Sequence, residues 1–250
     1  MPENVTADQL DAEARAELRT LPADLADAVA RQLVAAGLDE DPERAYLHAM
    51  AARRLAARVG VVREACGVAA YQAGRWAEAL AELRAARRLT GRGSYLPLMA
   101  DCERALGRLD RALDLVSGPD ARSADPATQI ELRIVESGIR RDQGLPDAAV
   151  AALQLPEITG GRIRPGSARL LYAYADALLD AGREDEALEW FRKAAIADPD
   201  GVTDAAERFE ELDQVLIDDL EDLDADALDE DELDEDGLDV TALEADEPAG

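Results

Sequence analysis

The chain of 250 residues has very few of the side chains on which most enzymes depend. His48 is its only histidine, so a catalytic triad with histidine could form only through that residue. Zinc sites of the HExxH type need two histidines and are therefore excluded. No GxSxG, GxGxxG or Walker phosphate-binding loop occurs in the sequence. These absences predict a protein that is not an enzyme and that holds no metal ion or cofactor.

Long apolar runs are also missing. No segment approaches the ~18 consecutive apolar residues of a membrane-spanning helix. The first residues do not combine a basic stretch with an apolar run, as a secretory signal would. Cys66 and Cys102 both lie in apolar helical patterns, which favours buried, reduced thiols over a disulfide. Together these features predict a cytoplasmic protein without a membrane partner.

Charge is unevenly distributed along the chain, whose net charge is −28. Residues 201–250 hold 22 acidic residues and one base, whereas residues 53–141 hold 16 arginines against 11 acidic residues. Four arginines between residues 84 and 92 could meet phosphates, but the overall negative charge would oppose the approach of a polyanion. The charge therefore argues against a nucleic-acid partner.

A glycine with constant neighbours recurs along the chain at intervals of 33 to 38 residues. The repeated glycines are Gly37, Gly74, Gly107, Gly144 and Gly182. Seven residues before them stand the small residues Ala30, Gly67, Ala100, Ser137 and Ala175. A repeat of about 34 residues with this pattern is typical of stacked helix–turn–helix pairs. Each glycine is expected to end a helix in the left-handed conformation.

These repeats resemble the tetratricopeptide repeat family over residues 22–200. The fifth unit, LLYAYADALLDAGREDEALEWFRKAAIADP, matches best, through Ala175, Gly182, Ala187, Phe191, Ala194 and Pro199. In the third and fourth units, Pro119 and Pro156 stand where the family prefers alanine, which predicts short second helices. The whole chain also resembles an uncharacterised group of such proteins from GC-rich bacteria, and that likeness implies no function.

The predicted fold class is all-α, an α-solenoid of about five helix–turn–helix repeats with a disordered acidic C-terminal tail. The expected segments are an N-terminal segment (1–21), the repeat domain (22–200), a capping helix (201–220) and the tail (221–250). Thr6 and Gln9 match a capping box, which predicts a short helix as far as about Arg19. The Pro- and Gly-rich stretch 155–166 is predicted to be a loop.

The resemblance implies a concave groove, lined by the first helix of each pair, that holds a peptide or another protein. The residues expected to line it are Arg31, Tyr71, Arg104, Arg141, Tyr172 and Asp176. Arg104 and Arg141 hold equivalent places and could clamp an acidic peptide bidentately. The alternative is that both arginines pair with neighbours such as Asp101 or Asp142. Family members that bind C-terminal carboxylates use a lysine and an asparagine at places where this chain has neither.

In the acidic tail, leucine returns every fifth residue, a period that forms no continuous helical or strand face. The fragment DELDEDGLDVTALE superficially resembles a calcium loop, but Glu244 comes one residue too late for the bidentate ligand. Three uses of the tail remain open: solubility, binding of a basic partner, and folding back on the arginine-rich middle. The predicted function is a non-catalytic protein or peptide scaffold, and the alternative is an effector that acts through its acidic tail.

Overall fold

The computed structural model describes residues 5–160 and 167–215, and these residues form helices joined by short turns. The helices are α1 (Ala12–Leu18), α2 (Ala23–Leu38), α3 (Pro42–Ala56), α4 (Gly60–Gln72), α5 (Trp76–Thr90), α6 (Leu96–Ala105), α7 (Leu109–Ser117), α8 (Pro119–Arg122), α9 (Pro126–Asp142), α10 (Pro146–Ala152), α11 (Pro156–Thr159), α12 (Ala168–Asp180) and α13 (Glu184–Ile196). A further helix, α14, covers residues 205–215 as far as they are described. None of the described helices has the length and apolarity to cross a membrane.

Five antiparallel pairs stack along the chain. The pairs are α2/α3, α4/α5, α6/α7, α9/α10 and α12/α13, and the first helices α6, α9 and α12 also contact one another in sequence. Neither helix of a pair could bury its apolar stripe alone, so each pair is stabilised by its neighbours. The predicted all-α solenoid of five helix pairs is therefore confirmed within the described residues.

Small side chains allow the helices of each pair to come close. Ala100, Ala175 and Ala187 are fully buried, and Gly67 in α4 packs directly on α5. A Cβ atom at Gly67 would lie 2.7 Å from the Leu83 side chain, which is closer than real carbon contacts allow. The small residue seven places before each repeat glycine therefore has a packing role.

Four of the five repeat glycines end their first helices as predicted. Gly74, Gly107, Gly144 and Gly182 have φ between 68° and 71°, a conformation in which a Cβ atom would be strained. The prediction is wrong for Gly37, because α2 continues through it to Leu38. The turn after α2 is made instead by aspartates, since the Asp41 amide donates to Asp39 Oδ1 at 3.1 Å.

The N-terminal segment differs from the single short helix that was predicted. The Thr6 amide does donate to Gln9 Oε1 at 2.9 Å, but the capping box opens only a 3₁₀ turn (Ala7–Gln9). Leu10 is extended and ends this turn. The following helix α1 has its own N-cap, Asp11, whose carboxylate accepts from the Ala14 amide at 2.8 Å.

Proline shortens the second helices of the third and fourth pairs, as predicted. Helices α7 and α10 end ahead of Pro119 and Pro156, because proline lacks the amide that would continue the helix. Both prolines instead begin four-residue helices, α8 and α11. The prediction of a loop over 155–166 is therefore wrong for Pro156–Thr159, and residues 161–166 lie outside the described part.

Helix α14 packs against the fifth pair at the C-terminal end of the stack. Ala205 is buried there, and Phe209 and Leu212 contact the same apolar cluster as Phe191. The expected capping segment 201–220 is thus described only up to residue 215. The acidic tail, with its leucines and its calcium-loop-like fragment, lies outside the described residues.

Both cysteines are free and fully buried, in agreement with the prediction of reduced thiols. Burial raises the pKa of the Cys66 thiol and of the Cys102 thiol to about 12. Neither thiol is therefore ionised at neutral pH, and neither is a nucleophile there.

Candidate functional site

The first helices α4, α6, α9 and α12 together line a groove with a volume of about 500 Å³. Five of the six residues selected from the sequence lie in it: Tyr71, Arg104, Arg141, Tyr172 and Asp176. The sixth, Arg31, lies outside this groove. Its Nη2 atom is 2.5 Å from Asp27 on its own helix, α2, and Asp27 borders a different cavity at the N-terminal end.

Arg104 is held between two helices by two carboxylates. Its Nε donates to Asp101 Oδ1 at 2.7 Å, one turn earlier on α6. Its Nη1 donates to Asp142 Oδ2 at 3.1 Å, at the end of α9. The Arg104 side chain is about one-third exposed, so it is fixed in place without being fully buried.

Arg141, the equivalent residue one unit later, is also held by two carboxylates. Its Nε donates to Asp180 Oδ2 at 2.5 Å, and its Nη1 donates to Asp176, both on α12. Asp142 and Asp180 hold the same place in the repeat, two residues before the glycine. The structure therefore has the second of the two arrangements considered for these arginines, in which neighbouring aspartates pair with them.

Two tyrosine hydroxyls extend the network along the groove. Tyr71 on α4 donates to Asp101. Burial is the larger cause and this hydrogen bond the second cause that raise the pKa of the hydroxyl above its ordinary value. Burial, as the largest cause, and a hydrogen bond with Asp204 together raise the pKa of Tyr172 to about 12. Both hydroxyls stay protonated at neutral pH, so each remains a donor to its carboxylate.

A gap in this polar network lies at Gly138 on α9. In the third and fifth units the place six residues before the glycine is occupied by Asp101 and Asp176, whereas the fourth unit has Gly138 there. A Cβ atom at this position would lie 3.5 Å from the Arg104 side chain, an ordinary contact distance. Leu98 and Ile134 line the groove as apolar neighbours. The groove thus combines an apolar floor with fixed charges.

The C-terminal segment contributes to the lining of the groove. Val202, Thr203 and Asp204 line it, although they lie outside the repeats. Arg208 on α14 reaches back to Asp176, with Nη2 3.8 Å from Oδ1, and lies over the Phe191 ring at 5.4 Å from its centroid. Reasoning from the repeat pattern could not find these residues, because no repeat position corresponds to them.

The remaining residues that the sequence suggested are engaged elsewhere. His48 Nδ1 lies 2.9 Å from Gln32 Oε1, which makes it a partner in a helix-to-helix contact. In the arginine cluster, Arg84 Nη2 pairs with Glu103 at 2.6 Å and Arg92 contacts carboxylates that include Glu64. Among residues 5–160 and 167–215, no three His, Cys, Asp or Glu side chains are arranged to hold a metal ion.

Comparisons with known proteins give likenesses to solved structures. No protein-family model matches the chain, and no curated protein matches it. The chain is similar to the crystal structure of YrrB, described as a TPR protein with an unusual peptide-binding site. The sequences are 18% identical, the match covers 80% of this chain and 98% of that chain, and the TM-score is 0.44. A likeness at this level carries nothing about function, and the resemblance to a group from GC-rich bacteria stays a prediction.

Proposed function

We propose that this chain is a non-catalytic scaffold that binds a peptide segment of another protein along the groove. The observation that carries the proposal is the convergence of residues from four successive first helices on one continuous cavity. Ion pairs between the helices fix the groove before any ligand arrives. A preformed surface binds with a smaller loss of conformational entropy than a mobile one.

The contacts in the groove favour an apolar or mixed peptide over a strongly acidic one. Arg104 and Arg141 each already contact two aspartates, and Arg169 pairs with Glu131 at 3.0 Å. An acidic ligand would have to displace or share these carboxylates. An apolar side chain could instead enter beside Gly138 and contact Ile134, while polar groups of the peptide face the fixed charges at the rim.

The test starts from peptides selected for binding to the full chain by display. Their dissociation constants are then measured on the wild type and on Gly138→Leu, whose new side chain would project into the groove beside Arg104 and narrow it. We expect Gly138→Leu to weaken binding by about tenfold or more, which corresponds to about 1.4 kcal/mol.

Gly37→Leu is the matched control, because Gly37 is also a helical glycine and a Cβ atom there meets nothing within 4 Å. It lies in α2, outside the groove, so it should leave the dissociation constants unchanged. Circular dichroism establishes that both variants fold. Selected peptides that bind Gly138→Leu as tightly as the wild type, or a selection that yields no binder, would overturn the proposal.

A further inference from the structure

A second cavity lies at the N-terminal end of the stack, between α1 and α2, with a volume of about 580 Å³. Its lining is mostly aliphatic: Ala7, Ala12, Leu18, Leu21, Ala23, Ala26 and Ala30. Three charged residues, Arg15, Arg19 and Asp27, complete the lining. Leucine-sized apolar groups and anionic groups are therefore the chemistry that this cavity can take.

The two arginines of this cavity differ from those of the groove. Arg15 lies on α1, and Arg19, four residues later, is the C-cap of this helix with helical backbone angles, so their charged groups face the same side. Within the described part of the chain neither forms an ion pair, whereas Asp27 is paired with Arg31. Like charges at this spacing destabilise a helix. A carboxylate between them would remove that cost.

The chain carries a segment with matching chemistry in residues 216–250, which contain no lysine or arginine. Leucine recurs there every fifth residue, and each of these leucines is followed directly by an acidic residue. The pairs are Leu223-Asp224, Leu228-Asp229, Leu233-Asp234, Leu238-Asp239 and Leu243-Glu244. Each pair presents one branched apolar side chain beside one carboxylate, as the cavity requires.

Several arginines of the arginine-rich middle, the more obvious target for these carboxylates, are already paired within the body of the protein. The groove arginines Arg104 and Arg141 are paired with aspartates, and Arg53 and Arg63 both contact Glu82. Length is no obstacle to the N-terminal cavity. Residues 216–243, which end at the last of these leucines, can extend to about 95 Å, whereas five stacked helix pairs spaced 8–10 Å apart span about 50 Å.

We propose that the leucine–acid pairs of this chain's own C-terminal tail occupy the N-terminal cavity. A leucine packs against Leu18 and Leu21, and the adjoining carboxylate lies between Arg15 and Arg19. The pairs from Leu233 to Leu243 lie far enough along the tail to reach the cavity, and several such pairs raise the effective concentration of the tail there without any single strong contact. This contact goes beyond the proposed scaffold function, because it joins the two ends of the chain and leaves the groove open.

The experiment places a nitroxide spin label on the full chain at Ala242→Cys, next to Leu243, and records the broadening of backbone amide signals in ¹⁵N-labelled protein. Cys66 and Cys102 are fully buried and do not take up the label. We expect broadening centred on α1 and on the start of α2. It should weaken without disappearing as salt contracts the Debye length from about 10 Å to about 3 Å, since the leucine contact is apolar.

Two variants identify the contact. Arg15→Gln/Arg19→Gln should reduce the broadening to about its high-salt level. Replacement of the five leucines by serine, with every acidic residue kept, should leave a weak broadening at low salt that disappears at high salt. The matched control is Arg54→Gln/Arg58→Gln, which removes two charges at the same spacing from outside the cavity. It should leave the broadening intact.

Three results would overturn the proposal. The first is broadening that is absent or spread evenly over the body of the protein. The second is broadening centred on the groove at Arg104 and Arg141. The third is broadening that occurs only between a spin-labelled molecule and a separate ¹⁵N-labelled molecule at high concentration, because the occupant would then be the tail of a second copy.

Discussion

Gly67 and Gly138 both lie in first helices, yet replacement of each by alanine should change the stability in opposite directions. Alanine is favoured over glycine inside a helix by about 1 kcal/mol. At Gly138 the new Cβ would be 3.5 Å from the Arg104 side chain, so nothing offsets this gain. We therefore expect Gly138→Ala to raise the free energy of unfolding by about 0.5–1 kcal/mol.

At Gly67 the same change meets the neighbouring helix. The new Cβ would be 2.7 Å from the Leu83 side chain and 3.2 Å from the Leu83 backbone nitrogen. Leu83 is fully buried, so it cannot move aside without disturbing its own packing. Overpacking of this kind costs about 1–3 kcal/mol, which exceeds the gain in helix propensity. We expect Gly67→Ala to lower the free energy of unfolding by about 1–2 kcal/mol.

The assay is urea unfolding followed by circular dichroism, compared through the midpoint concentration. With a slope of about 2–3 kcal/mol/M, a change of 1 kcal/mol moves the midpoint by about 0.3–0.5 M. Gly37→Ala supplies the reference for helix propensity alone, since Gly37 is helical and has open space around it. If Gly67→Ala stabilised the protein as much as Gly37→Ala does, the close approach of α4 and α5 would be refuted.

Three further predictions concern the polar groups. The Ser137 hydroxyl is buried without a hydrogen-bond partner. Ser137→Ala should therefore leave the free energy of unfolding unchanged or raise it by up to about 1 kcal/mol, and a clearly lower urea midpoint would contradict this. Asp101 accepts from both Tyr71 and Arg104, so Asp101→Ala should cost about 1–3 kcal/mol in the same assay, and an unchanged midpoint would show that the network does not stabilise the stack. The third prediction concerns alkaline pH. The Tyr172 pKa is raised from 10.0 to about 12 and the Cys66 pKa from 9.0 to about 12. The folded state therefore keeps these protons after the unfolded state has lost them, so stability should be complete below pH 9 and fall between about pH 9 and pH 12. Tyr172→Phe should flatten the upper part of this decline, and equal slopes in both proteins would argue against the shift.

The repeat pattern predicted the helical hairpins well because it depends on local causes. Gly74 and Gly182 end their helices in a conformation that costs glycine little, and Pro119 removes a helical hydrogen bond wherever it stands. The wrong predictions arose where another local signal competed. Asp39 and Asp41 form the first inter-helix turn without help from Gly37, and the Asp11 cap starts a new helix that separates α1 from the capping box of Thr6.

The groove was predicted less completely than the helices. Tyr71, Arg104 and Arg141 could be assigned to it, because residues at equivalent repeat positions face the same side of a solenoid. The pairing of Arg141 with Asp180 could not be assigned, since these residues are 39 positions apart. Which carboxylate a long side chain reaches depends on the rotation between neighbouring units.

The pattern of residues along the chain was enough to predict five helix pairs, the position of most of their turns, and the small residues that lie between the paired helices. These features follow from the backbone preferences of glycine and proline and from the spacing of apolar side chains. The three-dimensional fold was needed to show that Arg104 and Arg141 pair with aspartates of the next unit, that Arg15 and Arg19 form no ion pair within the described residues, and that residues 202–204 line the groove. Such contacts depend on how each helix pair rotates against its neighbour. That rotation is set by the packing of the whole interface, which no short stretch of sequence contains.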